Sequence, residues 1–472
     1  MVFKQNAQND LPLVIRINGA LLPTSLMLET FWAAMAKSFF LAIWALATQA
    51  RRPALLKHAL GSIATPDATL LPVRDEVLTL AQQAKSAGRR VVLVSTADQN
   101  LVDRIARHLG FSGVHYGSSL EQNMDPNQIA MRLIEAFGSN GYDYVGHDSS
   151  DLPAWRSAKR VIAVAPDRKL WADLGKEARQ VGVRWNFRSL LAEMRPHQWV
   201  KNLLLLFPVL AAHDLSLGNL VPILFAMVAF SMGASAIYIL NDLLDLNADR
   251  QHVEKRNRPI ASGRLPINVA TLSSLGLGIS ALAIGAMVGW AVAGLILAYM
   301  AVSLLYSLQL KSMRWIDLFV LASLYTLRVL TGGATANTET SIWLLAFIFS
   351  VFFTLAGVKR LTGLARASNA GRLPGRGYTH KNLTGIRNIA FLGVLAAVLS
   401  FIGYTFSPVA NALYGNLMFL RMAVLPIAIW LVRMVILSQR GREDYDPIIF
   451  VARDKTGHLI VASGILLALL AI

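Results

Sequence analysis

The sequence contains no cysteine among its 472 residues, which excludes disulfide bridges and thiolate-bound metals. Its first residues lack the basic start and apolar core of a secretory signal, so we expect the N-terminal part to stay in the cytoplasm. Only 15% of the residues are charged, whereas 54% are hydrophobic. Soluble domains are about 45–50% apolar, and the excess here is concentrated after residue 198. This pattern indicates a membrane part behind a soluble one.

Positive charge is in excess, since 45 Lys and Arg residues stand against 28 Asp and Glu residues and give a net charge of +17. Such an excess can signal nucleic-acid binding. Here the basic residues lie in loops between apolar segments, which instead indicates anionic lipids, phosphate-bearing substrates and membrane topology. We therefore expect a membrane as partner and no nucleic acid.

Residues 1–190 alternate between short apolar segments and helical patterns, which predicts a parallel α/β sheet. The predicted strands lie at 13–17, 91–94, 142–146 and 158–165, with helical stretches such as 76–86 and 98–109. An apolar stretch of 17 residues at 31–47 is marginal for a membrane span. Because a crossing there would put later strands on the wrong side, we expect an interfacial helix or a cap packed against the membrane part. Its predicted apolar contacts are Trp32, Phe39, Phe40 and Trp44.

The order of these segments resembles the haloacid dehalogenase fold. That family carries D-x-D-G-T-L after the first strand, a Ser or Thr after the second, a Lys, and G-D-x-x-x-D after a later strand. Here Arg16 and Asn18 replace the first two aspartates, and His147 replaces a later acid. Ser95 or Thr96 fits the second motif, but residues 123–127 contain no Lys. Since such phosphatases need a carboxylate nucleophile and carboxylate-held Mg²⁺, the resemblance implies a structural or regulatory pseudo-phosphatase domain.

Nine apolar segments follow within residues 195–472 and predict an α-helical membrane bundle. They lie at about 200–213, 219–240, 268–288, 291–309, 316–334, 342–358, 388–407, 416–437 and 458–472. The first and last are short for a bilayer. Lys and Arg are concentrated in the connections 241–267, 310–315, 359–387 and 438–457. By the positive-inside rule these connections are cytoplasmic, and the C-terminus lies outside.

The segment Tyr238 to Arg264 places many acidic and basic residues close together in the sequence. Asp242, Asp245 and Asp249 are spaced i, i+3 and i+7, which places them on one face of a helix. Carboxylates so arranged suit Mg²⁺, which completes its shell with water and substrate phosphates. Basic residues that suit phosphate oxygens follow at Lys255, Arg256, Arg258 and Arg264. The alternative interpretation is a solvated loop between two membrane helices.

Two arginines lie inside predicted spans, where an unpaired charge costs at least about 2.5–3.5 kcal/mol. Arg328 is about three turns beyond Asp317 on a helix that ends at a Gly pair, so we expect it to face a polar cavity. Arg421 is expected to snorkel to the outer interface. More charges precede the last span, at Asp446, Arg453, Asp454 and Lys455.

Residues 195–472 resemble the UbiA superfamily of intramembrane prenyltransferases, whose N-D-x-x-D-x-x-x-D motif is matched by Asn241 to Asp249. Members that prenylate aromatic rings carry a second D-x-x-x-D near the fifth span. Here that place begins with Asp317 but ends with Leu321, so the second acid is missing. The sequences RPHQWVKN, KRNRPIASG and YSLQLK are most similar to the branch exemplified by decaprenyl-phosphate phosphoribosyltransferase.

The resemblance implies a multi-pass enzyme of the cytoplasmic (inner) membrane. It would transfer 5-phosphoribose from phosphoribosyl diphosphate to a polyprenyl phosphate, with Mg²⁺ held by the three aspartates of the motif. The implied substrate-binding residues are Lys201, Asn202, Asn241, Lys255, Arg256, Arg258, Tyr306, Lys311, Asp317, Arg328, Lys359, Arg360 and Tyr378. An aromatic prenyltransferase and a non-enzymatic transporter or lipid-binding scaffold are the alternatives. Formation of a homo-oligomer stays open.

Overall fold

The structure is a computed structural model, and it describes residues 11–119, 121–175, 178–338, 340–366, 376–439 and 454–472. It divides into two compact units. The first unit takes in Met1–Pro196 and Tyr238–Leu275, and the second takes in His197–Ile237 and Gly276–Ile472. The acid-rich segment therefore belongs to the unit of the N-terminal residues, although apolar segments flank it in sequence. The predicted division into domains 1–190 and 195–472 stays a prediction.

A six-stranded parallel sheet in the order β3-β2-β1-β4-β5-β6 forms the centre of the first unit. Its strands are β1 Leu13–Arg16, β2 Val91–Asp98, β3 Tyr116–Ser118, β4 Asp143–Gly146, β5 Arg160–Val164 and β6 Arg179–Val181. The predicted parallel α/β sheet is thus confirmed. The two edge strands escaped prediction because each has only three residues and little apolar character.

Successive residues of β1 point to opposite faces of the sheet. Leu13 and Ile15 pack in one hydrophobic cluster, and Val14 packs in another with Tyr144 and Trp155. Helices cover both faces, which explains why the central strands read as continuous apolar runs. The helices of this part are α1 Leu26–Lys37, α2 Phe39–Gln49, α3 Pro53–Ile63, α4 Asp75–Ser86, α5 Gln99–His108, α6 Pro126–Phe137, α7 Leu152–Arg156, α8 Arg168–Leu174 and α9 Phe187–Met194.

The apolar stretch 31–47 is two helices and not one, because the backbone at Ser38 is extended, with φ −153°. This break ends α1 and starts α2, so no continuous 17-residue helix exists there. Trp32 is buried, whereas Phe40 and Trp44 on α2 are 79% and 63% exposed. The exposed rings of Phe40 and Trp44 leave the predicted apolar contacts of these two residues as a prediction. A lipid contact of α2 stays a prediction.

Among the described residues, seven helices are long and apolar enough to cross a membrane, namely Leu217–Leu244, Ile267–Val288, Trp290–Leu308, Ile316–Thr335, Ile342–Arg366, His380–Thr405 and Leu417–Gln439. They match the seven inner segments predicted from the sequence. The two outermost predicted segments are shorter: a 3-10 helix at Pro196–Leu206 precedes a five-residue helix at Phe207–Ala211, and the last helix is Lys455–Leu470. The count of nine spans therefore stays a prediction at these two places.

We number the remaining helices α10 Phe207–Ala211, α11 Leu217–Leu244, α12 Leu246–Gln251, α13 Ile267–Val288, α14 Trp290–Leu308, α15 Ile316–Thr335, α16 Ile342–Arg366, α17 Leu383–Thr405, α18 Pro408–Leu413, α19 Leu417–Met422, α20 Val424–Gln439 and α21 Lys455–Leu470. Small residues let these helices approach closely, as is typical of membrane bundles. A Cβ added at Gly357 on α16 would lie 3.1 Å from Cβ of Ala390 on α17.

Candidate active site

Asp242 and Asp249 converge on one cation in the first unit. α11 ends at Leu244 and α12 begins at Leu246, but backbone hydrogen bonds from Asp245 to Asn241 and from Asp249 to Asp245, both 2.8 Å, continue the helical turn through the break. Nη1 of Arg258 therefore reaches both acids, at 2.9 Å from Oδ1 of Asp242 and 2.5 Å from Oδ2 of Asp249. The two carboxylates are buried, and Asp245 is half-buried.

Two more cations approach the same carboxylates. Nη2 of Arg195 donates to Oδ2 of Asp242, and its guanidinium lies 5.3 Å from the ring centre of Tyr238. Nζ of Lys255 is 3.7 Å from Oδ1 of Asp249. We call Asp242, Asp249, Arg195, Lys255 and Arg258, with Glu193 described next, the acid cluster. Its positive members outnumber the two aspartates, so it suits a ligand that brings negative charge.

Glu193 is a member that sequence reasoning missed. It is buried at the end of α9, and neither side-chain oxygen has a hydrogen-bond partner within the described part of the chain. Burial, reinforced by the neighbouring Asp242, raises the pKa of Glu193 to about 9. Burial also raises the pKa of Asp249, although Arg258 opposes that shift. No motif surrounds Glu193, so only the folded structure shows that it lies beside Asp242.

The acid cluster fits a divalent metal that completes its shell with substrate. Asp242 and Asp249 already enclose a cationic group, and Oδ1 of Asn241 is buried with no hydrogen-bond partner among the described residues. No group of three or more His, Asp or Glu side chains in the described ranges is arranged to hold a metal. Mg²⁺ commonly takes only one or two carboxylates together with water and phosphates, and this donor set suits such a site.

The remaining basic residues of this segment have different positions. Arg256 and Arg264 are exposed. Arg264 donates from Nη2 to the carbonyl of Asn257 and from Nε to Oγ of Ser262 at 3.1 Å, so it braces the loop. Of the basic residues predicted to bind phosphate here, Arg258 and Lys255 are the two that contact the aspartates.

A second charged group surrounds Asp317, which is fully buried at the start of α15 in the second unit. Arg360 donates from Nε to Oδ2 at 2.6 Å and from Nη2 to Oδ1 at 2.8 Å. The hydroxyl of Tyr306 donates to Oδ1 at 2.8 Å, and Nη1 of Arg376 lies 3.3 Å from the same oxygen. Two arginines therefore share one carboxylate, which leaves this arginine pair with excess positive charge.

Tyr378 supports the same region. It is fully buried, and its hydroxyl accepts a hydrogen bond of 3.0 Å from the backbone N–H of Trp315. Burial raises the pKa of Tyr378 to about 12, so it remains a neutral phenol at physiological pH. Trp315 has φ +69°, an uncommon conformation for a non-glycine residue, and the hydrogen bond helps to hold it just before Asp317.

Arg328 lies in an aromatic cage in the middle of α15. Its guanidinium is 5.1, 4.7 and 5.3 Å from the ring centres of Phe230, Tyr299 and Tyr325, respectively. Nε donates to Oδ1 of Asn202 at 3.1 Å, and Nη2 donates to the hydroxyl of Tyr299 at 3.0 Å. Buried arginines are usually paired with an acid, but the hydrogen bonds that Arg328 makes in the described part of the chain go to the uncharged groups of Asn202, Tyr299 and Leu324. A phosphate would supply the missing negative charge.

The other predicted substrate-binding residues are spread over the second unit. Lys201 lies 5.9 Å from the ring centre of Tyr325, next to the Arg328 cage. Lys311 and Lys359 are half-buried. Asp446 and Arg453 lie outside the described residues. Asp454 pairs with Arg433, and the predicted snorkelling residue Arg421 is exposed with its guanidinium 4.5 Å from the ring centre of Phe406.

The phosphatase-like position of the N-terminal domain is filled by its own side chains. Nη1 of Arg16 donates to Oδ1 of Asp151 and to Oγ of Ser150, both at 2.6 Å. Asp151, the last acid of the matched motif, is thus paired with Arg16. The imidazole of His147 covers Gly19, where an added Cβ would collide with it.

Lys57 reaches this region from α3, which sequence reasoning missed because it looked for a lysine only near residues 123–127. Its Nζ donates to the carbonyl of Thr96 at 2.5 Å and to Oδ1 of Asn123 at 2.9 Å. Burial lowers the pKa of Lys57. A lysine is therefore present at the carboxyl ends of the strands, but it braces the chain and no carboxylate nucleophile accompanies it.

The full-length protein is expected to hydrolyse simple phosphate monoesters no faster than the rate without protein, because Arg16 cannot act as a nucleophile. Release of phosphate from 4-nitrophenyl phosphate with Mg²⁺ measures this. The matched variant is Ser95→Ala, which removes a hydroxyl of the motif. Hydrolysis that this substitution abolishes would show that phosphatase chemistry has survived.

Comparisons with known proteins add to these contacts. The UbiA prenyltransferase family matches residues 203–452. A protein designated y4nM from Sinorhizobium fredii is 32% identical over 475 residues, which cover 97% of this chain and 91% of that protein. A decaprenyl-phosphate phosphoribosyltransferase from Corynebacterium glutamicum is 36% identical over 222 residues, which cover 45% of this chain and 66% of that enzyme.

Solved structures are less similar. A UbiA homolog from Archaeoglobus fulgidus bound to DMAPP and Mg²⁺ is 16% identical, with a TM-score of 0.46 over 59% of this chain and 98% of that chain. A had family hydrolase from Salmonella enterica serovar Typhi is 13% identical, with a TM-score of 0.27 over 36% of this chain and 68% of that chain.

Proposed function

The chain belongs to the UbiA prenyltransferase family and is a multi-pass membrane transferase, and from this premise we propose that it transfers 5-phosphoribose from phosphoribosyl diphosphate to a polyprenyl phosphate. The proposal places the enzyme in the cytoplasmic membrane, with the N-terminal domain and the acid cluster on the cytoplasmic side. The observation that carries it is the state of Asp317. Its carboxylate is shared by Arg360 and Arg376, and Leu321 stands where a second acid would complete a metal-binding pair.

The pairing of Asp317 with two arginines bears on whether the lipid substrate is a monophosphate or a diphosphate. A prenyl diphosphate carries more negative charge than a prenyl monophosphate, and family members that use it on aromatic rings have a second acid pair for metal. Here Leu321 stands at the second acid position, and the first acid supports arginines instead. A region with two arginines and a single carboxylate suits a monophosphate. This supports a polyprenyl phosphate as acceptor over a prenyl diphosphate as donor.

The acid cluster is assigned to the sugar donor. Asp242 and Asp249, with Asp245 and Asn241 beside them, would hold Mg²⁺, and the metal would neutralise the diphosphate as it leaves. Lys255 and Arg258 can bind phosphate oxygens that the metal leaves uncovered. The carbon–oxygen bond at ribose C1 breaks, C1 gains oxocarbenium character, and the electron pair leaves with the diphosphate. These side chains thus hold the leaving group.

Residues of the second unit are assigned to the lipid phosphate. The guanidinium of Arg328 uses three of its five N–H donors on Asn202, Tyr299 and the carbonyl of Leu324, so two remain for a phosphate. A phosphate oxygen of the lipid forms the new bond to ribose C1. Because that oxygen is already anionic at neutral pH, no general base has to remove a proton.

The direct test uses membranes that contain the full-length protein, with Mg²⁺, phosphoribosyl diphosphate labelled in the ribose, and a polyprenyl phosphate. Label should enter the lipid fraction with one diphosphate released per ribose transferred, and Asp242→Asn membranes serve as the matched background. If the label stays in water while a prenyl diphosphate prenylates 4-hydroxybenzoate, the protein is an aromatic prenyltransferase. If neither reaction occurs in membranes that retain the folded protein, the transporter or lipid-binding scaffold becomes the better interpretation.

A further inference from the structure

Arg250 follows Asp249 directly on α12 but pairs with a distant residue. Its Nη1 and Nη2 donate to Oε2 and Oε1 of Glu29, at 2.9 and 2.8 Å. The side chains of Arg250 and Glu29 are 4% and 1% exposed. A guanidinium that meets both oxygens of one buried carboxylate has a defined orientation as well as a neutralised charge. This pair therefore fixes Arg250 more strictly than a single contact could.

Glu29 lies on α1 of the N-terminal domain, 221 residues from Arg250 in sequence. Two further contacts join the same parts of the first unit. Nε1 of Trp32, three residues after Glu29, donates to Oγ1 of Thr271 at 3.1 Å. Gly263 has φ +74°, and a Cβ there would collide with Pro23. The acid-rich segment is thus anchored to the N-terminal domain at several points, of which the ion pair is nearest to the acid cluster.

Arg250 also connects to the loop that carries Arg258. Nε of Arg250 donates to the carbonyl of Ala261 at 3.2 Å, and Oγ of the next residue, Ser262, donates to the carbonyl of Arg258 at 2.8 Å. Arg258 in turn contacts both aspartates of the acid cluster. A displacement of Arg250 would therefore disturb its neighbour Asp249 and the loop of Arg258 together.

We propose that Glu29 is a positioning residue for the acid cluster, and that holding this cluster in place is what the N-terminal domain contributes to the transferase. The inference rests on the proposed function in taking the acid cluster as the site of metal and diphosphate. Glu29 acts through Arg250. Because a buried guanidinium without a carboxylate is strongly disfavoured, loss of Glu29 forces α12 to shift or Arg250 to seek another acid.

Glu29→Gln tests the inference in the purified full-length protein, since it removes the charge and keeps the size of the side chain. Hydrogen–deuterium exchange of residues 246–262 is expected to increase. Binding of Mn²⁺, followed by electron paramagnetic resonance as a probe of the divalent site, is expected to weaken about tenfold, as is usual when a residue that orients metal ligands is removed. The KM for Mg²⁺ should rise by more than kcat falls.

Asp143→Asn is the matched control, because it breaks another buried ion pair of the same unit, in which Nη2 of Arg89 lies 2.6 Å from Oδ2 of Asp143. It should lower the melting temperature and leave both readouts at the wild-type values. Arg250→Lys keeps the charge but cannot bind both oxygens of Glu29, so it should also increase hydrogen exchange and weaken Mn²⁺ binding. If Glu29→Gln does not fold, Arg250→Lys tests the proposal in its place.

Two results would overturn the proposal. One is wild-type exchange and Mn²⁺ binding in the folded Glu29→Gln and Arg250→Lys proteins. The other is an equal change in Asp143→Asn, which would show general loss of stability and no specific positioning. Both readouts are independent of the sugar substrate. A wild-type protein that binds Mn²⁺ but transfers no phosphoribose would therefore refute the proposed reaction and leave the role of Glu29 to be judged by these measurements.

Discussion

Asp242→Asn and Asp249→Asn are each expected to lower phosphoribosyl transfer about 100-fold or more, because each removes a charge that would hold the leaving diphosphate through its metal. Both carboxylates are buried and contact Nη1 of Arg258, so each substitution removes negative charge from the same place. The sequence motif leads us to expect the same of Asp245→Asn. Initial rates with labelled phosphoribosyl diphosphate measure the effect, and excess chelator should abolish the activity of the wild-type protein.

Asp214→Asn is the control for these substitutions, since it changes an exposed aspartate that hydrogen-bonds Asn219 near the start of α11. It should retain the wild-type rate. Equal amounts of each variant in the membrane, shown by detergent extraction and gel filtration, separate loss of chemistry from loss of folding. Full activity in all three aspartate variants, or in the presence of chelator, would remove the metal site from this mechanism.

Arg328→Met is expected to raise the KM for polyprenyl phosphate by roughly 10- to 150-fold, because a hydrogen bond to a charged group contributes about 1.5–3 kcal/mol and 1.36 kcal/mol is tenfold. The methionine retains much of the volume inside the cage of Phe230, Tyr299 and Tyr325. The KM for phosphoribosyl diphosphate should change much less, since we assign the donor to the acid cluster. Steady-state kinetics with each substrate varied in turn measure both constants.

Arg421→Met is the matched control, because Arg421 also lies on a helix of the membrane part but is exposed beside Phe406. Its KM values should equal those of the wild-type protein. Should Arg328→Met instead raise the KM of the sugar donor and spare that of the lipid, the two substrates would have to be reassigned. An equal rise in both constants would point to a general change in the bundle.

Local sequence patterns predicted the seven long helices and the central strands, since periodicity and apolar length are properties of adjacent residues. They also placed Asp242 and Asp249 on one face, because i and i+7 are two turns apart on a helix. The break at Ser38 was missed because the apolar pattern around it does not show where one helix ends and the next begins. An apolar composition satisfies both one helix and two short ones, and the extended backbone at that residue is decided by how α1 and α2 pack.

The partners of the charged residues were the least predictable feature of the site. Arg360 was selected as a phosphate ligand, but nothing in its neighbourhood indicated that it would hold Asp317, 43 residues earlier. Glu193 and Lys57 had no motif around them. Such pairings depend on burial, because a charge removed from water must find a counter-charge wherever the fold brings one. Sequence spacing reports which charges share a helix, and it cannot report which helices meet.

The contact between Glu29 and Arg250 also bears on how this protein can be divided and recombined. A compact unit in space takes in Met1–Pro196 and Tyr238–Leu275 and leaves out the residues between them. A fragment that starts near residue 195 would keep the N-D-x-x-D-x-x-x-D motif but expose Arg250 without its carboxylate. A chimera that joined these helices to a foreign N-terminal domain would do the same unless an acid stood where Glu29 does. The two segments are therefore best exchanged or engineered as one module, although residues 197–237 stand between them in the sequence.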